Sequence, residues 1–549
     1  MTLRILLVFV FLFFAAPVRG TIFNVSSSTE LQDALTVASS NGEDDIIYLK
    51  GGLINSYTPI PGQYFFEYHT DDGDGTLTIE PSSSYGYAVF IGQDNVSGLL
   101  RIFNDSNNNG VGDTYNTITL KKLHFINSAI NAVTVVTGEA DVVVEKCNFE
   151  SNTNKYLSTA GLYISSNLGN ISLRSCIISL NSSHEDCIVD YTGLGVSVQS
   201  NSGDIFIEKN IFQNNHENFA VSKHFSGYGV ALFVSNGQGI INLKNNTFAE
   251  NQTRYDSGSK GAGFYIDKTD QQGSVTLTGN RIDTNRALIG GGGYIKSVAP
   301  VYINDNIVTE NESFYTNTFY HDGGGIYVSA PETEISLKNN IIMGNQSRQE
   351  TLSAGGLYCE AKTISMINNT VMGNSSAAHG GVFLDGNGNI TSFLLYNNIF
   401  RGNSPTITGS TGVDLYIDNS GAGSSQVRLY NNFFGELSDF STADSSSLKI
   451  NLITDYLHEG NNTVDPLVDS TGHLQSGSPA IDSAVCGIEV SGHYERIAPY
   501  EDIDGDQRPG DSWTTCCDIG ADEVIPDSCT TATSSDFPWI LFAPVFFQQ

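Results

Sequence analysis

The stretch Cys147-Asn148-Phe149-Glu150-Ser151-Asn152 recurs along the chain and decides its fold. Successive first positions of the copies are 29, 34, 36, 34, 26, 34, 29, 29 and 34 residues apart. A period in this range corresponds to one supersecondary unit per repeat. The sequence therefore predicts one repeat architecture and not a set of separate domains. The later copies begin at Cys176, Asn210, Asn246, Asn280, Asn306, Asn340, Asn369 and Asn398, with a partial copy at Asn432.

Each repeat contains two further short apolar runs. One follows small residues, as in Gly292-Gly293-Tyr294-Ile295, and the other alternates before the Asn motif, as in Val275-Thr276-Leu277. Both are rich in β-branched and aromatic residues, and Gly, Asn and Ser separate them, which is typical of short strands. Three short strands per repeat describe one coil of a parallel β-helix. We therefore predict an all-β, single-stranded parallel β-helix solenoid.

Stacking turns each motif position into a column, because neighbouring coils lie about 4.8 Å apart. The apolar third position predicts an interior column. The sixth position predicts a corner column, running from Asn152 to Asn403, in which Asn side chains hydrogen-bond to their counterparts and the residue adopts a left-handed backbone conformation. No coil buries its own apolar face, so stacking supplies the core. The predicted interior column is Phe149, Phe212, Phe248, Ile282, Val308, Ile342, Val371 and Phe400.

The pattern resembles the pectin lyase-like superfamily of parallel β-helix proteins, which includes pectate lyases and polygalacturonases. This resemblance, with the general chirality of parallel crossovers, implies a right-handed helix. Near the C-terminus, four ordered segments resemble the choice-of-anchor Q domain of secreted β-helix proteins, which implies attachment at the cell surface and carries no established chemistry. They begin with Asp465-Pro466-Leu467-Val468 and continue at residues 474–482, 502–509 and 518–523.

The ends of the chain suggest its organisation. Residues 1–20 are predicted to be a secretory signal peptide, with Arg4 before an apolar run that is too short to span a bilayer. We expect an N-terminal cap at residues 21–60, including a short helix near Leu31 to Ala38, and β-helix repeats at residues 61–440. A choice-of-anchor Q-like domain is expected at residues 441–525, followed at residues 526–549 by a polar spacer and a short apolar tail.

Charge narrows the range of partners. The chain has 26 basic and 59 acidic residues, a net charge of −33, and no basic cluster. Proteins bind nucleic acids and anionic membranes through Lys and Arg side chains, so we expect neither as a partner of this chain. We expect a secreted monomer without a transmembrane span, either free or anchored at the cell surface. Its expected partner is an extracellular polysaccharide or another cell-envelope component.

Cysteine spacing predicts disulfide bonds. Cys147 and Cys176 occupy the same motif position on consecutive coils, where a disulfide can bridge them. The alternative is a pair of stacked, buried thiols. Near the C-terminus four further cysteines are expected to pair among themselves in one of three ways: Cys486, Cys516, Cys517 and Cys529.

One acidic column is the predicted catalytic or binding site. Aligning the Gly-Gly strands places Glu360, Asp385 and Asp418 at the same position on consecutive coils, after Asp267, Lys296 and Ser329. The spacing suits a carboxylate pair for glycoside hydrolysis, and it equally suits Ca²⁺. His379 is a candidate base. The alternative is a solvated strand end without a ligand.

A second acidic group lies in the C-terminal segment. Asp502, Asp504, Asp506 and Asp511 partly resemble a calcium loop, although the EF-hand spacing fails. The alternative is a tight acidic turn in which Arg508 pairs with a carboxylate such as Asp482.

Two functions follow from these patterns. The first is a non-catalytic binding or structural module for extracellular polysaccharide, because no convincing catalytic set stands out. The second is a polysaccharide lyase or glycoside hydrolase, acting on acidic or neutral glycans through the Glu360 column. The repeated tyrosines could stack on sugar rings if they faced outward, but we expect them to alternate into the core. They are Tyr265, Tyr294, Tyr327, Tyr358 and Tyr416.

Overall fold

Three parallel sheets form a β-solenoid whose coils follow the sequence repeat. One coil contributes one strand to each sheet, and the strands pair in parallel with those of the coils above and below. The computed structural model describes residues 20–50, 56–59, 65–70, 75–82, 86–92, 98–104, 116–154, 159–184, 191–218, 227–253, 258–314, 322–348, 353–386, 392–406, 413–419, 426–435, 447–451, 455–490, 493–509 and 517–524.

Sheets I and II share two long strands, Ile326–Lys338 and Leu357–Ile367, each of which runs through both sheets. The remaining strands of sheet I are Phe66–His69, Leu100–Asn104, Val133–Thr137, Leu162–Ser166, Val196–Ser200, Leu232–Asn236, Phe264–Lys268, Gly293–Ser297, Val382–Asp385, Leu415–Asp418 and Leu448–Asn451. Those of sheet II are Ile22–Val25, Asp45–Leu49, Leu77–Pro81, Thr117–Lys121, Asp141–Glu145, Ile171–Arg174, Ile205–Glu208, Ile241–Lys244, Val275–Thr278, Val301–Asn304, Ser392–Tyr396, Gln426–Tyr430 and Asp455–Glu459.

Sheet III is built from the Asn motif itself. Its strands are Ser56–Tyr57, Ala88–Ile91, Leu123–Ile126, Asn148–Glu150, Ile177–Ser179, Ile211–Gln213, Thr247–Ala249, Arg281–Asp283, Ile307–Thr309, Ile341–Met343, Thr370–Met372 and Ile399–Arg401. Two-residue strands extend some of the loops: Thr153–Asn154, Ser182–Ser183, Tyr191–Thr192, Gly227–Tyr228, Arg286–Ala287, Glu312–Ser313, Asp322–Gly323, Gln346–Ser347, Ser353–Ala354, Ser375–Ser376 and Ser404–Pro405.

The predicted interior column is confirmed. Phe149 pairs in register with Ile178 and then Phe212, and the column continues without a slip to Phe400. Every side chain in it is at most 1% exposed. Apolar side chains from the three sheets meet here in one continuous core, because each strand turns alternate residues inward.

The predicted Asn corner is confirmed, but the left-handed conformation lies elsewhere. Asn311 is fully buried and donates a side-chain hydrogen bond to Asn345 Oδ1 over 2.9 Å, and this contact repeats from coil to coil. The residue with positive φ is the one before each ladder Asn, as in Glu310 with φ of 54°. The turn is therefore made by the fifth motif position, which frees the Asn side chain to bridge coils.

The predicted disulfide between Cys147 and Cys176 is not formed, and both residues are free, buried thiols. They stand at the first motif position, where later coils carry a second Asn ladder that begins with Asn210. Each thiol points to a carbonyl of the preceding coil, as Cys147 does to Leu120 O over 3.4 Å. The Cys176 sulfur also accepts the Cys147 amide over 3.4 Å, so the two thiols take the place of Asn side chains in the ladder as weak hydrogen-bonding groups.

The stack is longer than predicted. Its strands run from Ile22–Val25 to Asp455–Glu459, beyond both limits of residues 61–440. The α-helix Ser28–Ala38 lies at the start, where Ser27 accepts a hydrogen bond from the Glu30 amide as N-cap. Among the described residues no helix is long and apolar enough to cross a membrane. Residues 1–19 and 525–549, with the predicted signal peptide and tail, lie outside the described residues.

Residues 465–524 pack against the outside of sheet III. Side chains of Asn339, Asn368 and Asn397, from three consecutive coils, donate to carbonyls of this segment, for example Asn397 Nδ2 to Val485 O over 2.8 Å. The segment contains an antiparallel hairpin of Gly487–Val490 with His493–Arg496. A disulfide joins Cys486 to Cys517, which is one of the pairings left open. Cys516 and Cys529 lie outside the described residues.

Candidate functional site

The outer face of sheet I carries two parallel columns of side chains, which we call the aromatic ladder and the polar strip. The predicted alignment of the polar strip is confirmed, since Glu360 pairs in register with Asp385 and Asp385 with Asp418. The strip is Ser235, Asp267, Lys296, Ser329, Glu360, Asp385, Asp418 and Asn451. The aromatic ladder, two positions earlier on each strand, is Phe233, Tyr265, Tyr294, Tyr327, Tyr358, Phe383 and Tyr416.

The expectation that the tyrosines enter the core is wrong. Phe264 and Ile266 take the two core positions of their strand, so Tyr265 between them must face outward. The ladder is nevertheless mostly covered, because loop residues such as Leu288 and Phe314 pack over it. Tyr358 is only 1% exposed.

The rings stack on one another. Centroids of Tyr294 and Tyr327 are 4.6 Å apart with an interplanar angle of 8°, and those of Tyr327 and Tyr358 are 4.7 Å apart at 7°. The coil spacing is close to the thickness of an aromatic stack, so from Phe233 to Tyr358 each ring covers its neighbour's face. These faces are therefore not available for a sugar ring to stack on. Phe383 instead meets Tyr358 and Tyr416 edge to face.

The phenol hydroxyls connect the ladder to the strip. Tyr358 donates to Asp385 Oδ2 over 2.8 Å, and Ser329 donates to Glu360 Oε2 over 2.7 Å. Burial raises the pKa of Tyr294 to about 12, and it raises that of Tyr416 to about 12 as well. The phenols therefore remain protonated donors at neutral pH. The strip carboxylates are half-buried acceptors that this network holds in place.

The three strip carboxylates do not converge on one point. Among the described residues, Glu360, Asp385 and Asp418 do not form a group of three ligand atoms close enough to hold one metal ion. His379, the candidate base, is 7% exposed, and its ring stacks on Tyr416 with centroids 4.0 Å apart. It is thus part of the covering of the ladder. The arrangement is a linear row of acceptors on consecutive coils.

Asp504 and Asp506, two of the aspartates predicted to form a calcium loop, lie in a turn whose amides hydrogen-bond to Asp502. Asp502 Oδ1 accepts the amides of Asp504 and Asp506 over 2.9 and 2.8 Å, and Oδ2 accepts the amide of Glu523 over 2.9 Å. Both carboxylate oxygens are therefore used within the fold. Asp511 lies outside the described residues.

Arg508 pairs with Glu523 and not with Asp482. Its Nη1 lies 2.8 Å from Glu523 Oε2, and both side chains are fully buried. Arg508 also donates to the Gly520 carbonyl and to Asn339 Oδ1 on the solenoid. Removing one partner of such a pair leaves an uncompensated buried charge, so the pair fixes how the segment docks.

One group of metal-ligating side chains is present among the described residues, and only one of its members was predicted. His473, Asp504 and Asp522 offer ligand atoms that all lie within 4.8 Å of one another. Burial raises the pKa of Asp522, which is 8% exposed. The sequence signal for Asp504 was the density of aspartates. His473 and Asp522 lie 31 and 18 residues away from Asp504 in the chain, and no local motif links them.

Comparison of the chain with protein-family models, curated proteins and solved structures found no match.

Proposed function

We propose that the protein is a secreted, cell-surface β-helix module that binds extracellular polysaccharide without cleaving it, through the polar strip on sheet I. The observation that carries the proposal is the in-register row of hydroxyls and carboxylates on consecutive coils. A linear polymer matches a linear row of acceptors. Sugar hydroxyls donate to carboxylates, and such charge-assisted bonds are roughly twice as strong as neutral ones.

The ligand class follows from the sign of the charge. Glu360, Asp385 and Asp418 follow one another without an intervening base, and the chain carries a net charge of −33. An acidic glycan would be repelled unless cations bridged it, whereas a neutral glycan supplies only donors and acceptors. We therefore expect a neutral polysaccharide with many free hydroxyls.

The cellular location is proposed from the two ends of the chain. Residues 1–20 have the pattern of a signal peptide, and residues 465–524 resemble the choice-of-anchor Q domain. That segment lies against sheet III, which leaves the sheet I strip on another side of the solenoid. Anchoring through the C-terminal part is therefore compatible with a ligand on sheet I.

The test is retention of the purified protein on a panel of neutral and acidic polysaccharides, with parallel measurement of released reducing or unsaturated ends. The triple variant Glu360→Gln, Asp385→Asn, Asp418→Asn should lose retention by at least about tenfold, since each charge-assisted bond contributes about 1.5 to 3 kcal/mol. The matched control removes three acidic charges near sheet III: Glu150→Gln, Glu250→Gln and Glu310→Gln.

Each outcome decides between the two functions. Retention that the strip variant loses and the control keeps supports binding at sheet I. Equal retention by both variants contradicts the strip as the site. Release of sugar ends that Asp385→Asn abolishes would replace the binding proposal with a glycoside hydrolase or polysaccharide lyase.

A further inference from the structure

Three turns of the C-terminal segment bring their side chains to one point. His473 comes from the turn at residues 469–474, Asp504 from the turn that Asp502 organises, and Asp522 from the last described turn. His473 Nε2 lies 3.0 Å from Asp504 Oδ2. Distances of this size between ligand atoms are compatible with an ion bound about 2.0 to 2.2 Å from each.

The hydrogen bonds around His473 Nδ1 indicate that this nitrogen carries a proton. The Thr471 hydroxyl donates its only proton to Asp469 Oδ1 over 2.7 Å. Toward His473 Nδ1, 2.8 Å away, the same hydroxyl can therefore only accept, so Nδ1 carries a proton. A neutral His473 consequently presents a lone pair on Nε2, on the side of the two carboxylates.

Two lone pairs 3.0 Å apart repel each other unless a proton or a metal cation lies between them. A second proton on His473, at Nε2, would form an ion pair with Asp504. Asp522, however, adds another carboxylate at the same point. Asp522 is 8% exposed, and its Oδ2 accepts the Leu474 amide over 2.7 Å. Its other oxygen makes no hydrogen bond to the described part of the chain. This oxygen is therefore open to a bound cation.

We propose that His473, Asp504 and Asp522 bind one divalent transition-metal ion, such as Zn²⁺, that cross-links the three turns. One imidazole nitrogen and two carboxylate oxygens suit an ion of intermediate softness, and three protein ligands leave a position for water. Ca²⁺ prefers six to eight oxygen ligands, so it fits this set less well. The contact from His473 Nδ1 through Thr471 to Asp469 is the kind of support that orients a metal-binding histidine.

The ion would stabilise the segment. No single turn holds all three ligands, so the site exists only when the turns are docked. An ion that binds the folded segment and not the unfolded one raises its stability in proportion to the logarithm of ion concentration. This role lies beyond polysaccharide binding, because the cluster belongs to the segment packed on sheet III.

The test is calorimetric titration of the tag-free, chelator-treated protein with Zn²⁺, Mn²⁺ and Ca²⁺ at neutral pH. We expect one Zn²⁺ per chain and a higher melting temperature of the protein with Zn²⁺. His473→Ala and Asp504→Asn should weaken binding by more than about 100-fold, and Thr471→Val by about 10- to 100-fold. Asp506→Asn is the matched control, since it removes a charge from the same turn but lies outside the cluster.

Asp522→Asn alone would not decide the question, because Asp522 also caps the Leu474 amide and its loss could unfold the turn. Asp504 is more than half exposed, so Asp504→Asn should fold, which circular dichroism checks. Absence of Zn²⁺ binding overturns the proposal, as does binding that both His473→Ala and Asp504→Asn retain. Tighter binding of Ca²⁺ than of Zn²⁺ overturns the assigned metal class. Doubly protonated His473 in the Zn²⁺-treated protein, seen by NMR, would show that the cluster is an ion pair only.

Discussion

Replacing Asn311 with Ala should destabilise the middle of the solenoid by several kcal/mol. Asn311 Nδ2 donates to Ile282 O over 2.8 Å and to Asn345 Oδ1 over 2.9 Å. Its Oδ1 accepts from both the amide and the side chain of Asn285, over 2.9 and 3.0 Å. The truncation removes all four bonds at a fully buried position.

The magnitude follows from what the truncation leaves behind. The Asn285 amide loses its acceptor, and a buried unsatisfied group costs about 1 to 3 kcal/mol. The Asn285 side chain keeps its bond to Phe248 O, so it is not left alone. Each of the other three bonds contributes about 1 kcal/mol net. With partial relaxation, we expect a loss of about 3 to 5 kcal/mol in the free energy of unfolding of these coils.

Hydrogen exchange of the Asn285 amide is the suitable assay, because a solenoid can open locally and a global transition would average over coils. The control is Asn201→Ala, which removes an exposed side chain whose one hydrogen bond within the described part of the chain is to Asn167. It should change stability by no more than about 0.5 kcal/mol. A loss below about 1 kcal/mol in Asn311→Ala would refute the argument that the ladder holds the coils together.

Two further predictions concern sheet I and its loops. Burial raises the pKa of Asp322 from 3.8 to about 6, so its contribution to stability is present below pH 3.8 and is lost as the pH rises through about 6. The wild type should therefore lose about 2.4 kcal/mol relative to Asp322→Asn between pH 4 and 7. Exchange of the Gly290 amide, which donates to Asp322, measures this loss, and a constant difference would contradict it. Tyr358→Phe should cost about 1 to 2 kcal/mol for the bond to Asp385, and Tyr358→Ala about 3 to 5 kcal/mol for the stacked ring. Thermal or urea unfolding measures both losses of stability. Equal losses in Tyr358→Phe and Tyr358→Ala would contradict the larger contribution assigned to the ring.

The stack of coils could be predicted from the sequence because each copy of the Asn motif corresponds to one coil. Phe149 and its counterparts recur at the same place in the repeat, so their register needs no knowledge of loop lengths. The direction of Tyr265 could not be predicted in the same way. A two-sided strand between a core and a covering loop is apolar on both faces, and alternation alone does not say which face is the core.

The C-terminal contacts were beyond sequence reasoning for a different reason. Arg508 pairs with Glu523 and Cys486 with Cys517 through turns that no repeat organises. A usable signal does exist on the solenoid side. On three consecutive coils, an Asn directly precedes the Asn of the first motif position. The side chains of these residues, Asn339, Asn368 and Asn397, hydrogen-bond to the C-terminal segment. Polar side chains repeated just outside a turn therefore indicate which coils another segment covers.

The same coil spacing has opposite effects on aromatic and acidic side chains. Rings such as Tyr294 and Tyr327 stack favourably at this distance, so the aromatic ladder stabilises sheet I. Its covered ring faces leave little surface for a ligand to contact. Carboxylates at about 5 Å repel, by roughly 1 kcal/mol in water and more where the surface lowers the dielectric constant. Donation from Ser329 and Tyr358 offsets part of this cost for Glu360 and Asp385. The remaining repulsion falls when a ligand supplies further donors, so the acidic strip gains more from a hydroxyl-rich chain than the aromatic ladder beside it does.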